Sequence, residues 1–260
     1  MDLSFEKLDW TGRFLDIDGV RYFDYSASSF EFSFCGTSAS CLLLSNPKEH
    51  GDNVAVVAVF TAKYGEDYSA EPDKRIILTE SVNEIKLFES DRKQKVSVKV
   101  MKYSEAAFAY AGLKNVEIDG KLLKTKDCSK APKIEFIGDS ITCGYGIEGK
   151  WNVDSFSTKT ERPDLAYAYK TAKKLGAQYS LISWSGIGLT STYIDESVSD
   201  PDNFWTMDRL WPYTDRKLSL TLKKEPEVWD ESAFSPDVVV INIGTNDKSW
   251  TRGDSGKTKV

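Results

Sequence analysis

The chain has 260 residues, a net charge of −6 and an aromatic content of 12%, and 28% of its residues are charged. This composition excludes an intrinsically disordered chain, and without a basic block interleaved with aromatic residues nucleic acid is a poor candidate partner. No stretch reaches the roughly 18 apolar residues of a membrane span. The first residues form no export signal, so we expect a soluble, cytoplasmic chain and leave secretion open.

Residues 12 to about 128 are typical of a chain built from short β-strands. Apolar or alternating segments are separated there by clusters of Gly, Asn, Asp and Ser. The predicted strands are 14–17, 20–23, 30–34, 41–44, 54–60, 75–78, 84–88 and 96–101. Many short strands with turn signals between them favour an all-β jelly-roll sandwich, which we place at residues 1–130.

The periodicity changes near Ala131 and Pro132, where strands begin to alternate with helix. The sequence predicts strands at 134–137, 179–183 and 238–243, and a helix at 164–175 that Gly176 caps. Continuous apolar strands that alternate with helices indicate a parallel sheet covered on both faces. We therefore expect a second, three-layer α/β domain over residues 131–260, with residues 127–132 as the connector.

Between Ser191 and Asp237 aromatic residues recur without a clear periodicity. Such a segment is typical of an insertion that borders an active site, and equally of helices and loops packed around the rings. Trp205 and Trp211 in this segment, together with Trp184 before it, are candidate contacts for the flat faces of sugar rings.

The cysteines are too scattered to form a metal site. Cys35, Cys41, Cys128 and Cys143 show neither CxxC spacing nor a cluster with histidine. We expect neither a metal nor another cofactor, and the simplest role for Cys143 is to pack in a tight turn.

A serine, a glycine and an asparagine follow the three predicted parallel strands. Ser140 follows the first strand in Gly-Asp-Ser, Gly186 follows the second, and Asn246 follows the third in Gly-Thr-Asn-Asp. Ligands bind at the carboxyl ends of strands in open α/β sheets. The Ser140 hydroxyl would be a nucleophile there, while its N–H, the Gly186 N–H and the Asn246 amide would stabilise an oxyanion.

Each of these three elements also has a common structural explanation. Gly-Asp-Ser is a frequent tripeptide, a glycine after a strand more often makes a turn, and Asn-Asp more often forms a cap or an Asx-turn. Their occurrence together, in this order and each at a strand end, favours a serine hydrolase.

The residues around these positions resemble the SGNH (GDSL-type) hydrolases. Gly138-Asp139-Ser140, Gly186 and Gly244-Thr245-Asn246-Asp247 are similar to the first three sequence blocks of that superfamily. The preceding jelly roll and the segments 137–146 and 183–189 resemble carbohydrate esterase family 2. The resemblance implies a flavodoxin-like α/β domain, Ser140 as nucleophile, and Gly186 and Asn246 as oxyanion donors. It further implies removal of O-acetyl groups from xylan and related plant polysaccharides.

One block of that superfamily has no counterpart in the chain. Its members place a base histidine in a later block, whereas the only histidine here is His50, in a polar turn between two strands of the first domain. A parallel sheet with an uncovered apolar face is implausible as a complete design. We therefore expect a C-terminally truncated form of a longer esterase, whose missing part carries the histidine, and little activity in the 260-residue chain.

Two other functions stay open from the sequence. A carbohydrate-binding protein without turnover would use the same aromatic residues, and a lipase or thioesterase of the superfamily would use the same serine. For the esterase the expected partner is an acetylated carbohydrate. The oligomeric state does not follow from the sequence.

Overall fold

The computed structural model describes the chain at residues 1–125, 128, 130–195 and 204–251. The strands of its N-terminal part are β1 (Asp2–Leu3), β2 (Asp9–Thr11), β3 (Leu15–Ile17), β4 (Val20–Tyr22), β5 (Ser29–Leu44), β6 (Val56–Lys63), β7 (Lys74–Ile77), β8 (Val82–Lys102), β9 (Gly112–Ile118) and β10 (Lys121–Leu123). The elements that follow are β11 (Lys133–Gly138), α1 (Ser140–Cys143), α2 (Tyr167–Leu175), β12 (Gln178–Ser183), α3 (Met207–Leu210), α4 (Arg216–Thr221) and β13 (Val238–Asn242).

Two long strands, β5 and β8, run through both layers of the N-terminal domain. They pair antiparallel from Ser29 with Met101 to Leu44 with Val82. The first half of β5 also pairs with β2 and β10, and its second half pairs with β9, which continues to β4 and β3. The second half of β8 pairs with β6, and β6 with β7. The two halves of one strand pair therefore build the two layers of a sandwich.

The bend between the layers falls where turn-forming residues interrupt the apolar pattern. The register of β5 against β8 shifts between Gly36 and Ser38 and again between Ala39 and Ser40. The prediction of separate strands at 30–34 and 41–44, and at 84–88 and 96–101, is wrong, since each pair forms one bent strand. A bulge bends a strand without ending it, and the sequence pattern alone does not distinguish a bulge from a turn.

A single apolar core fills the space between the two layers. Phe30, Phe32 and Phe34 of one layer belong to the same buried cluster as Leu43 and Val116 of the other. Full burial of such a side chain contributes roughly 1.5–3 kcal/mol. Packing across the sandwich is therefore the main source of stability for this domain.

The second domain contains a three-stranded parallel sheet in the order β12-β11-β13. The predicted helix is confirmed, but its α-helical turns begin only at Tyr167, because Ala166 is extended and separates them from a 3-10 turn at Pro163–Leu165. Gly176 caps α2 in the left-handed conformation, as expected. Among the described residues no helix has the length and hydropathy needed to cross a membrane.

Strands β11 and β12 are covered on both faces, because the sandwich takes part in the core of the second domain. On one face Phe136 packs with α2 and with Phe60 of the sandwich. On the other face Ile182 packs with Tyr25 of the sandwich and Met207 of α3. The predicted fold class, a β-sandwich followed by an α/β domain, is confirmed, and we place the boundary near residue 130, between β10 and β11.

Strand β13 is one of the two edge strands of this sheet in the described part of the chain. The side chains of Val238, Val239 and Ile241 are 51%, 47% and 67% exposed. The expected cover on both faces therefore holds for β11 and β12, whereas in the described part of the chain it does not extend to β13.

Candidate active site

The carboxyl ends of the three parallel strands lie side by side. Gly138 of β11 pairs with Ser183 of β12 on one side and with Asn242 of β13 on the other. The predicted serine, glycine and asparagine follow these three residues in the chain. The topology therefore places all three at one edge of the sheet, with the serine on the central strand.

Ser140 stands at the first position of α1, directly after the extended N-cap residue Asp139. The Asp139 side chain accepts the N–H of Ile141 at 3.0 Å and caps the helix. Gly138 leaves no room for a side chain, because a Cβ there would lie 2.0 Å from Oγ1 of Thr142. Ser140 is half-buried. The first N–H groups of a helix have no partner within it, which suits the Ser140 N–H to a ligand.

The loop after β12 turns at Gly186. Its φ of 80° lies in the left-handed region, which favours glycine. A Cβ at this position would approach only Cβ of Tyr193, at 3.8 Å. The space beside this glycine is therefore otherwise open, as an oxyanion hole requires.

Asn246 faces the same loop from the end of β13. Its side chain is buried, and Nδ2 donates to the carbonyl of Ile187 at 2.8 Å. A side-chain amide carries two N–H donors. One donor therefore ties Asn246 to the residue next to Gly186, and the second is left for a ligand.

Asp247 holds the loop that follows Gly186. Its carboxylate accepts the N–H groups of Leu189, Thr190 and Ser191 and the Thr190 hydroxyl, at 2.6 to 3.2 Å. Burial raises the pKa of Asp247, but the N–H groups of Thr190 and Leu189 outweigh that effect and hold the pKa below its usual value. The sequence pattern gives no sign of this role for Asp247, although the residue directly follows Asn246.

The three predicted sugar contacts lie in different surroundings. Trp184 and Trp205 form a pair with their ring centroids 5.2 Å apart. Trp211 instead donates from Nε1 to the buried carboxylate of Glu135 at 3.0 Å, and Nη2 of Arg13 lies 3.2 Å from the same carboxylate. Trp211 is therefore part of a polar network between the domains, and we retain Trp184 and Trp205 as candidate sugar contacts.

A stack of aromatic rings begins close to Ser140 and crosses to the sandwich. Tyr145 and Phe156 are nearly parallel, with centroids 5.3 Å apart, and Phe156 lies 4.9 Å from Phe108. Tyr145, at the end of the stack, is 44% exposed. The sequence pattern did not indicate this stack, because its members come from distant segments.

His50 lies in the sandwich at the far end of that stack. Its ring meets Phe108 edge to face, at 6.3 Å between centroids, and Nε2 lies 3.1 Å from Nδ2 of Asn46. Burial, and then the charge of Lys217, lower the pKa of His50. None of the contacts described for this histidine reaches Ser140.

The register brings a serine hydroxyl and up to three candidate N–H donors to one edge of the sheet. This set matches acyl transfer, in which a carbonyl oxygen becomes negatively charged during attack. In the part of the chain that the structure describes, no three His, Cys, Asp or Glu side chains form a group that could hold a metal ion.

Two family models match the chain, one for each domain. Residues 134–259 match the GDSL-like lipase/acylhydrolase model, and residues 10–125 match the carbohydrate esterase 2 N-terminal model. The second domain is therefore of the GDSL-like acylhydrolase class, and the first is the β-domain that accompanies it in one esterase family.

Curated relatives and solved structures match different lengths of the chain. The chain is 36% identical over 234 residues to cellulase/esterase CelE of Acetivibrio thermocellus, covering 90% of this chain and 25% of the relative. It is 33% identical over 130 residues to an acetylxylan esterase/glucomannan deacetylase of Cellvibrio japonicus, covering 49% and 33%. A family two carbohydrate esterase from Clostridium thermocellum, solved in complex with cellohexaose, superposes with a TM-score of 0.76 and 30% identity, covering 96% and 69%.

The chain belongs to carbohydrate esterase family 2. It spans about a quarter and a third of the lengths of the two curated relatives named above.

Proposed function

We propose that this chain forms a serine esterase site that removes O-acetyl groups from a plant polysaccharide or oligosaccharide. The observation that carries the proposal is the register of the three parallel strands, which sets Ser140, Gly186 and Asn246 at one edge of the sheet. The names of the relatives, an esterase and an acetylxylan esterase/glucomannan deacetylase, support the same substrate class.

In this proposal the Ser140 hydroxyl attacks the carbonyl carbon of the acetyl group. The carbonyl oxygen becomes an oxyanion that accepts from the Ser140 N–H, the Gly186 N–H and the free N–H of the Asn246 amide. The sugar hydroxyl leaves with a proton, and water then hydrolyses the acetyl-serine. Loss of one oxyanion donor typically raises the barrier by about 2.7 to 4 kcal/mol.

No histidine that could act as the general base contacts Ser140 among the described residues. A serine hydroxyl is a poor nucleophile until a neighbouring base removes its proton. The chain has a single histidine, His50, whose described contacts are Asn46 and Phe108. We therefore expect slow acetylation of Ser140 by the 260-residue chain, and no contribution from His50.

Exposed aromatic rings supply the sugar-binding side of the proposed site. Tyr145, fixed by Phe156, lies just beyond α1, and Tyr193, 52% exposed, donates its N–H to the carbonyl of Gly186 at 2.6 Å. Pyranose rings pack on such flat faces through their C–H groups. We propose that these rings, with Trp184 and Trp205, position the acetylated sugar.

A second candidate function is carbohydrate binding without turnover. The observation that favours it is the combination of exposed rings next to Ser140 with the absence of a histidine contact to Ser140 among the described residues. An active site mutant of a family two carbohydrate esterase from Clostridium thermocellum has also been solved as a complex. Binding and esterolysis therefore need separate assays.

The decisive experiment compares the chain with its Ser140→Ala variant and a matched Ser155→Ala control on the exposed surface. Intact-mass analysis after incubation with p-nitrophenyl acetate should detect an acetyl adduct in the wild type and the control, and none in Ser140→Ala. Acetate release from acetylated xylan should follow the same pattern. Equal adduct formation in all three proteins would contradict the esterase proposal. Retardation of the wild-type chain by soluble glucomannan in affinity electrophoresis, without any acetyl adduct, would support binding alone.

A further inference from the structure

Two buried carboxyl groups from different domains meet beneath the turn that leads into Gly186. Glu105 belongs to the segment between β8 and β9 of the sandwich, and Glu161 to the segment before α2. Both side chains are fully buried, at 0% exposure. Two carboxylates in such a place repel each other and have lost their hydration, so their environment has to compensate.

The contacts of the two carboxyl groups join the domains directly. Oε2 of Glu105 accepts the Ser185 N–H at 3.1 Å and also the Ser185 hydroxyl. Oε2 of Glu161 accepts the backbone N–H of Glu105 at 2.9 Å. A series of hydrogen bonds therefore leads from Glu161 through Glu105 to Ser185, the residue directly before Gly186.

Each carboxyl group keeps one oxygen without an N–H or hydroxyl donor among the described residues. These atoms are Oε1 of Glu105 and Oε1 of Glu161, and the two side chains are close enough to hydrogen-bond to each other. A single proton between the two Oε1 atoms would satisfy both at once. The thiol of Cys143 is a further hydrogen-bond partner of Glu105. Sharing one proton lowers the charge of the pair from −2 to −1.

We propose that Glu161 and Glu105 form a carboxyl pair that shares one proton, and that this pair anchors the Ser185–Gly186 turn to the sandwich domain. Glu161 carries the proton and donates a hydrogen bond to Glu105. Glu105 is the anion, and it also accepts hydrogen bonds from Ser185. Both residues position the turn and do not contact the substrate. The role of the turn as an oxyanion loop rests on the proposed function, whereas the shared proton does not.

The groups around the pair are consistent with one negative charge. Lys102 donates from Nζ to the carbonyl of Glu105 at 3.1 Å and pairs with the Asp24 carboxylate at 3.0 Å, so its charge is largely balanced. Cys143 faces the pair from α1, and burial, with the two glutamates, raises the pKa of its thiol, which stays protonated. Burial also raises the pKa of both glutamates, most strongly that of Glu161 beside Glu105.

The first test measures the proton through the pH dependence of unfolding. The folded chain retains a proton that the unfolded chain releases near the ordinary glutamate pKa of 4.5. Stability from the pair is therefore complete below that pH and is lost as pH rises toward the folded pKa. In Glu161→Gln the side-chain N–H donates to the Glu105 carboxylate, and the side-chain carbonyl accepts the backbone N–H of Glu105. Both hydrogen bonds between the two residues are kept, but position 161 no longer has a proton that titrates.

Urea titrations between pH 5 and 7 measure the equilibrium constant for unfolding at each pH. For each pH unit, we expect the factor by which this constant rises to be about tenfold larger in the wild type than in Glu161→Gln. Exposed Glu231→Gln is the matched control and should keep the slope of the wild type. Glu105→Gln offers the same test from the other partner, because its amide can donate to an ionised Glu161. Equal slopes in wild type, Glu161→Gln and Glu105→Gln would overturn the shared proton.

The second test measures the anchoring of the turn without any catalytic assay. Deuterium uptake at pH 7 in a peptide spanning residues 181–191 should increase severalfold in Glu105→Ala, because Ser185 loses its acceptor, and should stay close to the wild type in Glu161→Gln. Unchanged uptake in Glu105→Ala would overturn the anchoring role. If the turn loosens as expected but Ser140 forms no acetyl adduct, the esterase proposal fails and the anchor stands.

Discussion

Strands β12 and β13 flank the same central strand, yet they differ in what surrounds them. All but the first residue of β12 are buried, whereas most of β13 is exposed. The loop after β12 is held from the sandwich by Glu105 and from the other strand end by Asp247. Asn246 and Asp247, which follow β13, are nevertheless buried, and both form hydrogen bonds with that loop.

The difference shows that order at the site does not depend on burial of each strand. The end of β13 is fixed by hydrogen bonds across the strand ends, while the strand itself contributes little buried surface. Stability and site geometry are therefore separable on this side of the sheet, and substitutions in β12, in β13 and in the loops at the strand ends test that separation.

The largest effect is expected from truncating a buried side chain of β12. Ile182→Ala removes a fully buried side chain and should lower the free energy of unfolding by about 3 kcal/mol. The same change on β13, Ile241→Ala, removes a side chain that is 67% exposed and should cost about 0.5 kcal/mol. Urea unfolding of both variants measures the contrast, and similar losses would show that β13 is buried in solution.

The second largest effect is expected from removing the hydrogen bonds between Asp247 and the loop after β12. Asp247→Ala leaves the donors of Leu189, Thr190 and Ser191 without their acceptor, and should lower the free energy of unfolding by about 2 kcal/mol. Exposed Asp208→Ala should change it by less than about 0.5 kcal/mol. Because the pKa of Asp247 is lowered, its contribution is present above its ordinary pKa of 3.8 and is lost as pH falls through the lowered value. A loss of the same size at pH 2 and pH 7 would contradict the assignment.

A smaller effect is expected at Tyr145, which follows α1 beyond the end of the central strand β11. Tyr145→Ala should weaken binding of a glucan or xylan oligosaccharide by about fivefold, or roughly 1 kcal/mol, through loss of ring stacking. Tyr145→Phe keeps the ring and should bind as the wild type does. Calorimetry in a Ser140→Ala background excludes turnover during the measurement. Equal affinity of the alanine and phenylalanine variants would remove Tyr145 from the site.

The smallest effect is expected at His50. His50→Ala should leave the rate of Ser140 acetylation unchanged and alter the free energy of unfolding by less than about 0.5 kcal/mol, because its described contacts lie within the sandwich and the aromatic stack. The rate of acetyl adduct formation is the measurement. A clear decrease would make His50 the base and would overturn our interpretation of the site.

Much of the fold was accessible from the sequence because the strands carry a strong hydrophobic pattern. The three parallel strands and helix α2 were predicted within a few residues, since continuous apolar segments and Gly176 mark them clearly. The continuity of β5 and β8 was not, because Gly36 and the polar residues near Ser90 resemble turns. Strands β1, β2 and β10 were also missed, since they are short and depend on partners distant in the sequence. Strand β9, which lies between β4 and β5, was missed as well.

Only some residues of the candidate site could be predicted from the sequence. Ser140, Gly186 and Asn246 were identified because each follows a strand, and their proposed roles await the assays above. Asp247, Glu105 and Tyr145 gave no usable signal, because their partners are set by tertiary contacts. Trp211 illustrates the converse, since an aromatic residue in an irregular segment proved to bond with the buried Glu135.

The mixed core that covers β11 has a consequence for how the chain is synthesised. Val56, Ala58, Phe60 and Met101 of the sandwich share one buried cluster with Ile134 and Leu181. Domains fold as they leave the ribosome, N-terminal first, and exposed apolar surface at that stage favours aggregation. The sandwich therefore exposes an apolar outer face until the second domain has been synthesised. A slow codon stretch or a strong pause between residues 125 and 180 should lower the yield of soluble protein in a cell, even though no residue of the finished molecule changes.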